Sequence, residues 1–328
     1  MFMQVVTALL WVAAGIAAAL ALFWILNKIA ELMPGKWEDR VKPFLFILPA
    51  YFAITLYLIY PAIRTVIGSL KNPIGTEWVG FKNFSDLFGT AGFRDTLFNT
   101  LLWMLVVPVV TVALGLAVAV LSDRLSARGE KFTKTIIFLP MAISMVGAAT
   151  VWRFVYAYRV DVGEQKQIGL LNAIVTKLGM DPIRWLENST LHMNSFMLMV
   201  ILLWAQIGFS MVLLSAAVKG VPVDTLEAAR IDGASERQIF ARVVVPQIRG
   251  TIITVFITVT ITVMKIFDIV YATTGGNFNT NVLGNEFIKQ YKFFDQGKMS
   301  AIVVILLIAV VPIMIYQVKH FRAEEAAA

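Results

Sequence analysis

"DTLEAARIDGASERQIFARVVVP" occupies residues 224–246, between two long apolar runs. It is charged, amphipathic and dense in helix punctuation, in a chain that is otherwise strongly apolar. Gly220 and Pro222 end the preceding run, because proline supplies no backbone donor and clashes with a continuing helix. Asp224 stands three residues before Glu227, the spacing of a capping box that opens a short helix. Gly233 falls where a left-handed residue stops that helix. Ser235 and Gln238 repeat the capping-box spacing. The helix they open places Ile239, Phe240 and Val243 on one face before Pro246 closes the stretch. Two capped helices joined at a glycine make a rigid knob. The residues alone admit two uses for it: a hairpin lying on lipid headgroups with its arginines facing phosphate, or a knob that docks into a cytoplasmic partner.

The composition says what surrounds the knob. Of 328 residues, 59% are hydrophobic and only 15% charged, with a mean hydropathy of +0.77; soluble domains carry about 25% charged residues. Seven runs of roughly 20–27 residues, near 3–27, 43–69, 96–121, 135–157, 195–218, 250–271 and 299–318, are long enough to cross about 30 Å of hydrocarbon. The fold class expected is an all-α polytopic membrane protein with about seven transmembrane helices. In the first run no Lys or Arg precedes the apolar segment, and Lys28 follows it. The run also exceeds the 7–15 residues or so of a signal-peptide core. It reads as a retained helix with its N-terminus outside.

Orientation follows from basic residues. The loops 28–42, 122–134 and 219–249 and the tail after 318 hold 15 Lys and Arg, against 10 in the longer set 70–95, 158–194 and 272–298. The denser set is expected in the cytoplasm, with the knob and the C-terminus. The net charge of +7 then reflects cytoplasmic loops rich in Lys and Arg, not a nucleic-acid binder. The opposite loops have structure of their own. "EWVGFKNFSDLF" (77–88) mixes aromatics with turn formers and should pack at the membrane surface, and "TTGGNFNTN" (273–281) favours turns with positive φ.

Several chemistries are excluded. Cysteine is absent, and His192 and His320 form no metal-binding pair or HExxH motif. No phosphate-binding GxxxxGK[ST] exists, since the Gly35-Lys36 and Gly297-Lys298 sites lack the first glycine and the following hydroxyl residue. The short loops house no ATPase, so energy must come from a partner or an ion gradient.

Polar groups within the runs are the candidates for a pathway, because an ionisable group there costs roughly 2.5–3.5 kcal/mol on insertion scales. Lys265 and Asp268, three apart, are expected to share a helix face and to pair, about 22–27 Å above Gly250. Arg153 lies at similar depth; it and the Lys265–Asp268 pair equally suit snorkelling or pairing across helices. Gln206, flanked by Trp204 and Phe209, suits a sugar, which offers hydroxyl edges and apolar C–H faces; an interhelical hydrogen bond suits it as well. Among Thr258, Thr260 and Thr262 the hydroxyls are expected to satisfy backbone carbonyls, with Thr262 kept as a pathway candidate.

The quoted stretch also resembles a known motif. Glu227-Ala228-Ala229, Gly233 after three intervening residues, and Val243-x-Val245-Pro246 are similar to the EAA motif of the membrane subunits of binding-protein-dependent ATP-binding-cassette importers. Valines stand where isoleucine and leucine are usual. "WVGFKNF" (78–84) and "KIFDIVYATTGGNFNT" (265–280) resemble further segments of the maltose-transporter-type sugar permeases, with Asn277 in place of a usual proline. The large outer insertion frequent in that subunit is missing. "QKQIGLLNAI" (165–174) and "MDPIRWLEN" (180–188) look most like alpha-glucoside permeases.

The resemblance implies a type I importer transmembrane fold with one extra N-terminal helix. It implies an N-terminal helix and linker over 1–42, a permease core over 43–320 with its coupling loop at 219–249, and a tail at 321–328. Partners would be a second homologous permease, two ATPase subunits that bind ATP and Mg²⁺ while this chain binds no cofactor, and an extracytoplasmic sugar-binding protein. Coupling would fall to Glu227 through a salt bridge to the ATPase, Ala228 and Ala229 through close backbone approach, and Gly233 through its bend, with Asp232 and Pro246 beside them. The chain would sit in the cytoplasmic membrane and move an alpha-glucoside or other oligosaccharide. Other readings are a permease of the same kind for a non-sugar such as glycerol phosphate and an ion-coupled transporter, which calls for carboxylates deep in the spans, where the one good candidate, Asp268, lies near an edge. A membrane-embedded enzyme would need an acid pair, a His–Ser pair or a metal constellation that the sequence lacks.

Overall fold

The computed structural model describes residues 2–32, 35–160 and 167–327. Residues 165 and 166 of the 165–174 segment, and parts of the 28–42 and 158–194 loops, therefore lie outside the described residues. Among the described residues the chain is helical, and its one β contact is an isolated antiparallel bridge between Lys71 and Trp78. In chain order the helices are α1 (Phe2–Glu31), α2 (Lys36–Ile54), α3 (Tyr60–Gly68), α4 (Lys82–Gly89), α5 (Ala91–Asp123), α6 (Ala127–Phe138), α7 (Met145–Val155), α8 (Leu170–Lys177), α9 (Met193–Lys219), α10 (Val223–Ile231), α11 (Glu236–Ile239), α12 (Val245–Gln247), α13 (Arg249–Met264), α14 (Asp268–Thr273), α15 (Leu283–Lys292) and α16 (Gln296–Ala327). Five helices are long and apolar enough to cross a membrane, and two bent pairs bring the number to seven if each pair is one span.

The chain divides into two compact units, residues 1–67 and 68–328. In the first, Phe23 of α1 stacks on Phe46 of α2 with ring centroids 5.8 Å apart, and Leu26 and Ala30 are buried. A wide π turn over Thr55–Ile59 joins α2 to α3. Leu9, Trp11, Phe52 and Tyr57 point outward. Water would penalise such a surface, whereas lipid tails are as apolar as leucine.

In the second unit, α5 and α9 form the central pair. Trp103, Val107, Leu198, Leu202, Met211 and Leu214 are fully buried between them and Val255, Val259 and Val263 of α13. Small residues set the spacing. A Cβ at Gly115 would overlap Ser210 Oγ, and one at Gly208 would overlap the Ile137 carbonyl oxygen and lie 2.7 Å from Phe138 Cα. Without a hydrophobic force between helices in lipid, such close backbone approach supplies the packing energy.

The two helices run parallel, as their ends show. At their N-terminal ends the fully buried Asn99 and Asn194 hold one turn. Asn99 Nδ2 donates to the carbonyls of Asn279 (2.7 Å) and Asn281 (3.1 Å), and Asn194 Nδ2 donates to that of Phe278 (2.6 Å). The turn needs holding, because Phe278 and Asn279 have φ of +56° and +59° beside left-handed Gly275 and Gly276. Left-handed backbone costs an ordinary L-residue about 1–2 kcal/mol. At their C-terminal ends Lys219 reaches Asp123 at 3.2 Å.

Two predicted spans are not single helices. The 135–157 run is Ala127–Ala142 followed by Met145–Val155, bent by 104°. Pro140 opens a 3₁₀ turn, Ile143 is extended, and Ser144 caps α7 by accepting from Gly147 N at 3.1 Å. The 250–271 run stops at Met264, and Asp268 opens α14. Lys265 and Asp268 therefore do not share a helix face, and no ion pair joins them, contrary to the expectation from their spacing. Tertiary packing decides this: Ile266 turns into the core, and Gly284 comes so close that a Cβ there would lie 2.6 Å from the Ile266 carbonyl oxygen.

Replacing Gly208 by alanine should destabilise the chain by about 1–3 kcal/mol through overpacking, read as a lower midpoint of thermal unfolding in detergent. Gly15→Ala, with nothing within 4 Å of the new Cβ, should leave that midpoint unchanged. Asn99→Ala strands two carbonyls and should cost about 1–3 kcal/mol, with faster amide exchange confined to residues 275–283.

Candidate functional site

The knob is built as two short helices at an elbow. Pro222 is the N-cap of α10, with no side-chain cap, and Asp224 is in the first turn. The expected Asp224–Glu227 capping box does not form, because the helix begins two residues earlier than an Asp224 cap would set it, at Val223 behind Pro222. Asp224 instead places its carboxylate near the positive end of the helix dipole. At the other end Gly233, with φ of +77°, occupies the C′ position: Gly233 N donates to the Arg230 carbonyl (3.0 Å) and Ala234 N to that of Ala229 (3.1 Å). These are the two hydrogen bonds of a Schellman motif, which needs a left-handed residue at that place.

Ser235 then caps α11 in a full capping box with Gln238. Gln238 Oε1 accepts from Ser235 N at 2.8 Å. Across the elbow Arg230 Nε donates to Glu236 Oε1 at 2.8 Å. That hydrogen bond raises the Arg230 pKa above its ordinary value, Glu227 adding to it through its charge. Pro246 does not close the stretch as expected. The helix continues through a π turn over Phe240–Val244 into α12. The widened turn accommodates a proline that an α-helix would reject. The break falls at Ile248, where the helices on either side meet at 68°.

Beneath the elbow Val221, Ile239, Val244 and Ile248 are buried against Leu226, Ala229, Phe240 and Val243. Leu116 of α5, Val218 of α9 and Ile252 of α13 complete that cluster, so the knob is seated on the ends of three long helices. Its outer surface is open. Glu227, Ala228, Asp232 and Gly233 are exposed, Ala229 is half-buried, and Ile231 is 86% exposed. A carboxylate, small alanines and a bare isoleucine on a stiff support suit insertion into a cleft of another protein.

The pathway candidates are more dispersed. Gln206 is half-buried on α9 and makes no side-chain hydrogen bond among the described residues. Two residues earlier, Trp204 meets Trp152 edge-on at 5.9 Å, and Trp152 packs on Tyr156 at 5.3 Å. Thr262 Oγ1 donates to the Thr258 carbonyl at 3.0 Å, and Thr258 and Thr260 donate likewise one turn back. Lys265 is exposed and Asp268 half-buried, on separate segments. Arg153 Nη1 donates to the Ala272 carbonyl at 3.4 Å, tying α7 to α14.

Two constellations went unread in the sequence. One is the Asn99–Asn194 clamp, whose signal is an amide at the start of each of two apolar runs, Asn99 one turn into the 96–121 run and Asn194 directly before the 195–218 run. The other is a chain of ion pairs among Asp123, Lys219, Glu130 and Lys134 from three helices, in which only the i,i+4 Glu130–Lys134 pair has a local spacing to read.

Comparison with known proteins places this arrangement. The chain is 43% identical over 337 aligned positions, covering 98% of each protein, to the alpha-glucoside transport system permease protein AglF of Rhizobium meliloti (strain 1021). It is 46% identical over 282 positions, 86% of this chain and 99% of the relative, to the osmoprotective compounds uptake permease protein GgtC of Synechocystis sp. (strain ATCC 27184 / PCC 6803 / Kazusa). Its fold matches a chain of a bacterial alginate ABC transporter, crystallised with an alginate pentasaccharide-bound periplasmic protein, with a TM-score of 0.72 at 18% identity over 86% of this chain and 95% of that one. Residues 112–322, which include both the knob and the α9 core, match a family of transport permeases. The chain belongs to the family described as binding-protein-dependent transport system inner membrane component.

Proposed function

We propose that this chain is the sugar-translocating permease subunit of an ATP-driven importer, with an alpha-glucoside or related oligosaccharide as cargo. The observation that carries the reading is the knob: a stiff elbow, seated on three long helices, with Glu227 and Ile231 exposed on a surface that none of the described residues covers. An ion-driven carrier has no use for such a lever, and Asp268, half-buried in the first turn of a short helix, is poorly placed as a proton or sodium relay. The cargo class rests on the likeness to AglF over nearly the whole chain.

In this reading the knob faces the cytoplasm, and so does the C-terminus, while the N-terminus lies outside. Glu227 meets a basic residue of an ATPase subunit, Ala228 and Ala229 allow close backbone contact, Asp232 and Gly233 shape the elbow, and Pro246 lies in the helix behind it. ATP and Mg²⁺ are bound by two ATPase subunits, and a second permease subunit completes the membrane portion. An extracytoplasmic binding protein delivers the sugar. Gln206, beside Trp204, offers an amide to sugar hydroxyls, with Thr262, Lys265 and Asp268 further along the pathway.

A second cargo, an osmoprotective compound, is favoured by the likeness to GgtC. The test is uptake and ATP hydrolysis in proteoliposomes containing the chain and the subunits encoded beside it. Binding protein loaded with maltose, trehalose or sucrose is compared with the same protein loaded with osmoprotectants. ATP hydrolysis stimulated by a loaded binding protein supports the assignment, and uptake with no ATPase subunit present overturns it.

Gly233→Val forces a β-branched residue to φ of +77°, a strain of about 1–2 kcal/mol or more. The variant should reach the membrane yet lose stimulated ATP hydrolysis at least tenfold, an order of magnitude that corresponds to about 1.4 kcal/mol of lost coupling. Gln206→Ala should raise the apparent KM for sugar uptake about three- to tenfold, the loss of roughly one hydrogen bond, with basal ATP hydrolysis unchanged.

A further inference from the structure

Lys219 is the last residue of α9 and stands directly before Gly220, where the chain turns into the knob. Its ammonium lies 3.2 Å from Asp123 Oδ1, on the last residue of α5, and 2.6 Å from Glu130 Oε1 of α6. Lys134, one turn beyond Glu130, donates to that same oxygen and also to Ser215 Oγ, one turn before Lys219. Two acids and two bases from three helices thus close a circuit through a buried serine. The Glu130 and Lys134 side chains are only 18% and 23% exposed, so salt screens them less than a free surface pair.

A basic residue at the last turn of a helix is usual, because it complements the helix dipole. That role needs no acids from two other helices and gives no reason for a second lysine to share Glu130. Partly exposed ion pairs contribute little to stability. What this circuit fixes is geometry: the last turn of α9 cannot rotate or slide against α5 and α6 without separating charges. The knob's own apolar seat, Leu116 of α5 and Val218 of α9, lies within two turns of it. Between circuit and knob stand only Gly220, Val221 and Pro222.

We propose that Lys219 is a positioning residue that keeps the ends of α5, α6 and α9 together as one body with the knob throughout the transport cycle. A pull on the knob then moves three helices and is not dissipated by twisting at Gly220. The inference rests on the transport reading above, and its prediction is uncoupling, not inactivity.

The experiment uses the assembled complex in proteoliposomes and reads sugar delivered per ATP hydrolysed. Lys219→Met should keep binding-protein-stimulated ATP hydrolysis while that ratio falls about fivefold or more, the lower end of usual coupling factors. Lys219→Arg, which retains the charge and can reach both acids, should restore it. Glu130→Gln breaks the circuit without altering α9 and should lower the ratio in the same direction, which keeps the test decisive if Lys219→Met fails to assemble. The chain has no cysteine of its own, so the double variant Asp123→Cys, Lys219→Cys can be bridged by a bis-methanethiosulfonate reagent. Bridging should recover the ratio lost in the unbridged variant. A wild-type ratio in both Lys219→Met and Glu130→Gln, or arrest of uptake on bridging, would overturn the proposal, arrest meaning that the helix ends part in each cycle. Failure of the wild-type chain itself to support stimulated ATP hydrolysis would count against the transport reading instead.

Discussion

The close packing of α5 on α9 is the constraint on which the other features depend. The two helices meet where Gly115 faces Ser210, and α9 is brought against the α6 end by Gly208, at distances that leave no room for a methyl group. In lipid that contact is held by dispersion and shape, since burying leucine against leucine gains nothing over burying it in acyl chains. Because the pair is parallel, it presents two neighbouring helix starts at one end and two neighbouring helix stops at the other. The starts grip the left-handed turn at 275–281 through amides, and the stops carry the knob on an apolar seat and an ion-pair circuit. The two polar assemblies sit at opposite ends of a closely packed shaft.

Much of this was legible from residue order. Five of the seven apolar runs fall on single helices long enough to span and the other two on bent pairs, and Gly233, Ser235 and Gln238 specified the elbow, because caps and left-handed positions are local and depend on a few adjacent side chains. The errors have physical causes. Asp224 has the spacing of a cap, but Pro222 fixes the backbone two residues earlier, and the helix starts behind the proline. Pro246 reads as a terminator, but a π turn widens the helix enough to pass through it. Lys265 and Asp268 read as a pair on one helix face, yet the helix ends between Met264 and Asp268 so that Ile266 can enter the core and the α15 backbone can come close at Gly284.

The candidate site was legible in unequal parts. The candidate coupling residues lie within twenty consecutive positions, so their arrangement is almost written in the sequence. The candidate pathway residues come from different segments, and periodicity alone did not reveal that Asp268 heads a separate helix or that the 135–157 run bends by 104°. Of the Asp123–Lys219–Glu130–Lys134 circuit only the i,i+4 Glu130–Lys134 pair is local, and its links to the ends of two other helices leave no spacing to read. Interactions closed by tertiary structure are invisible to spacing.

The length of α5 has a consequence for where this protein can work. From Asn99 to Asp123 the helix rises about 36 Å at 1.5 Å per residue, whereas the hydrocarbon layer of a bilayer is about 30 Å thick. The amide clamp and the charged circuit are therefore about 6 Å further apart along the helix than that layer is thick. A membrane a few ångströms thicker or thinner is met by a change in tilt of the shaft. The protein carries its own ruler, and its polar fastenings stay at a fixed separation whatever lipid mixture surrounds it.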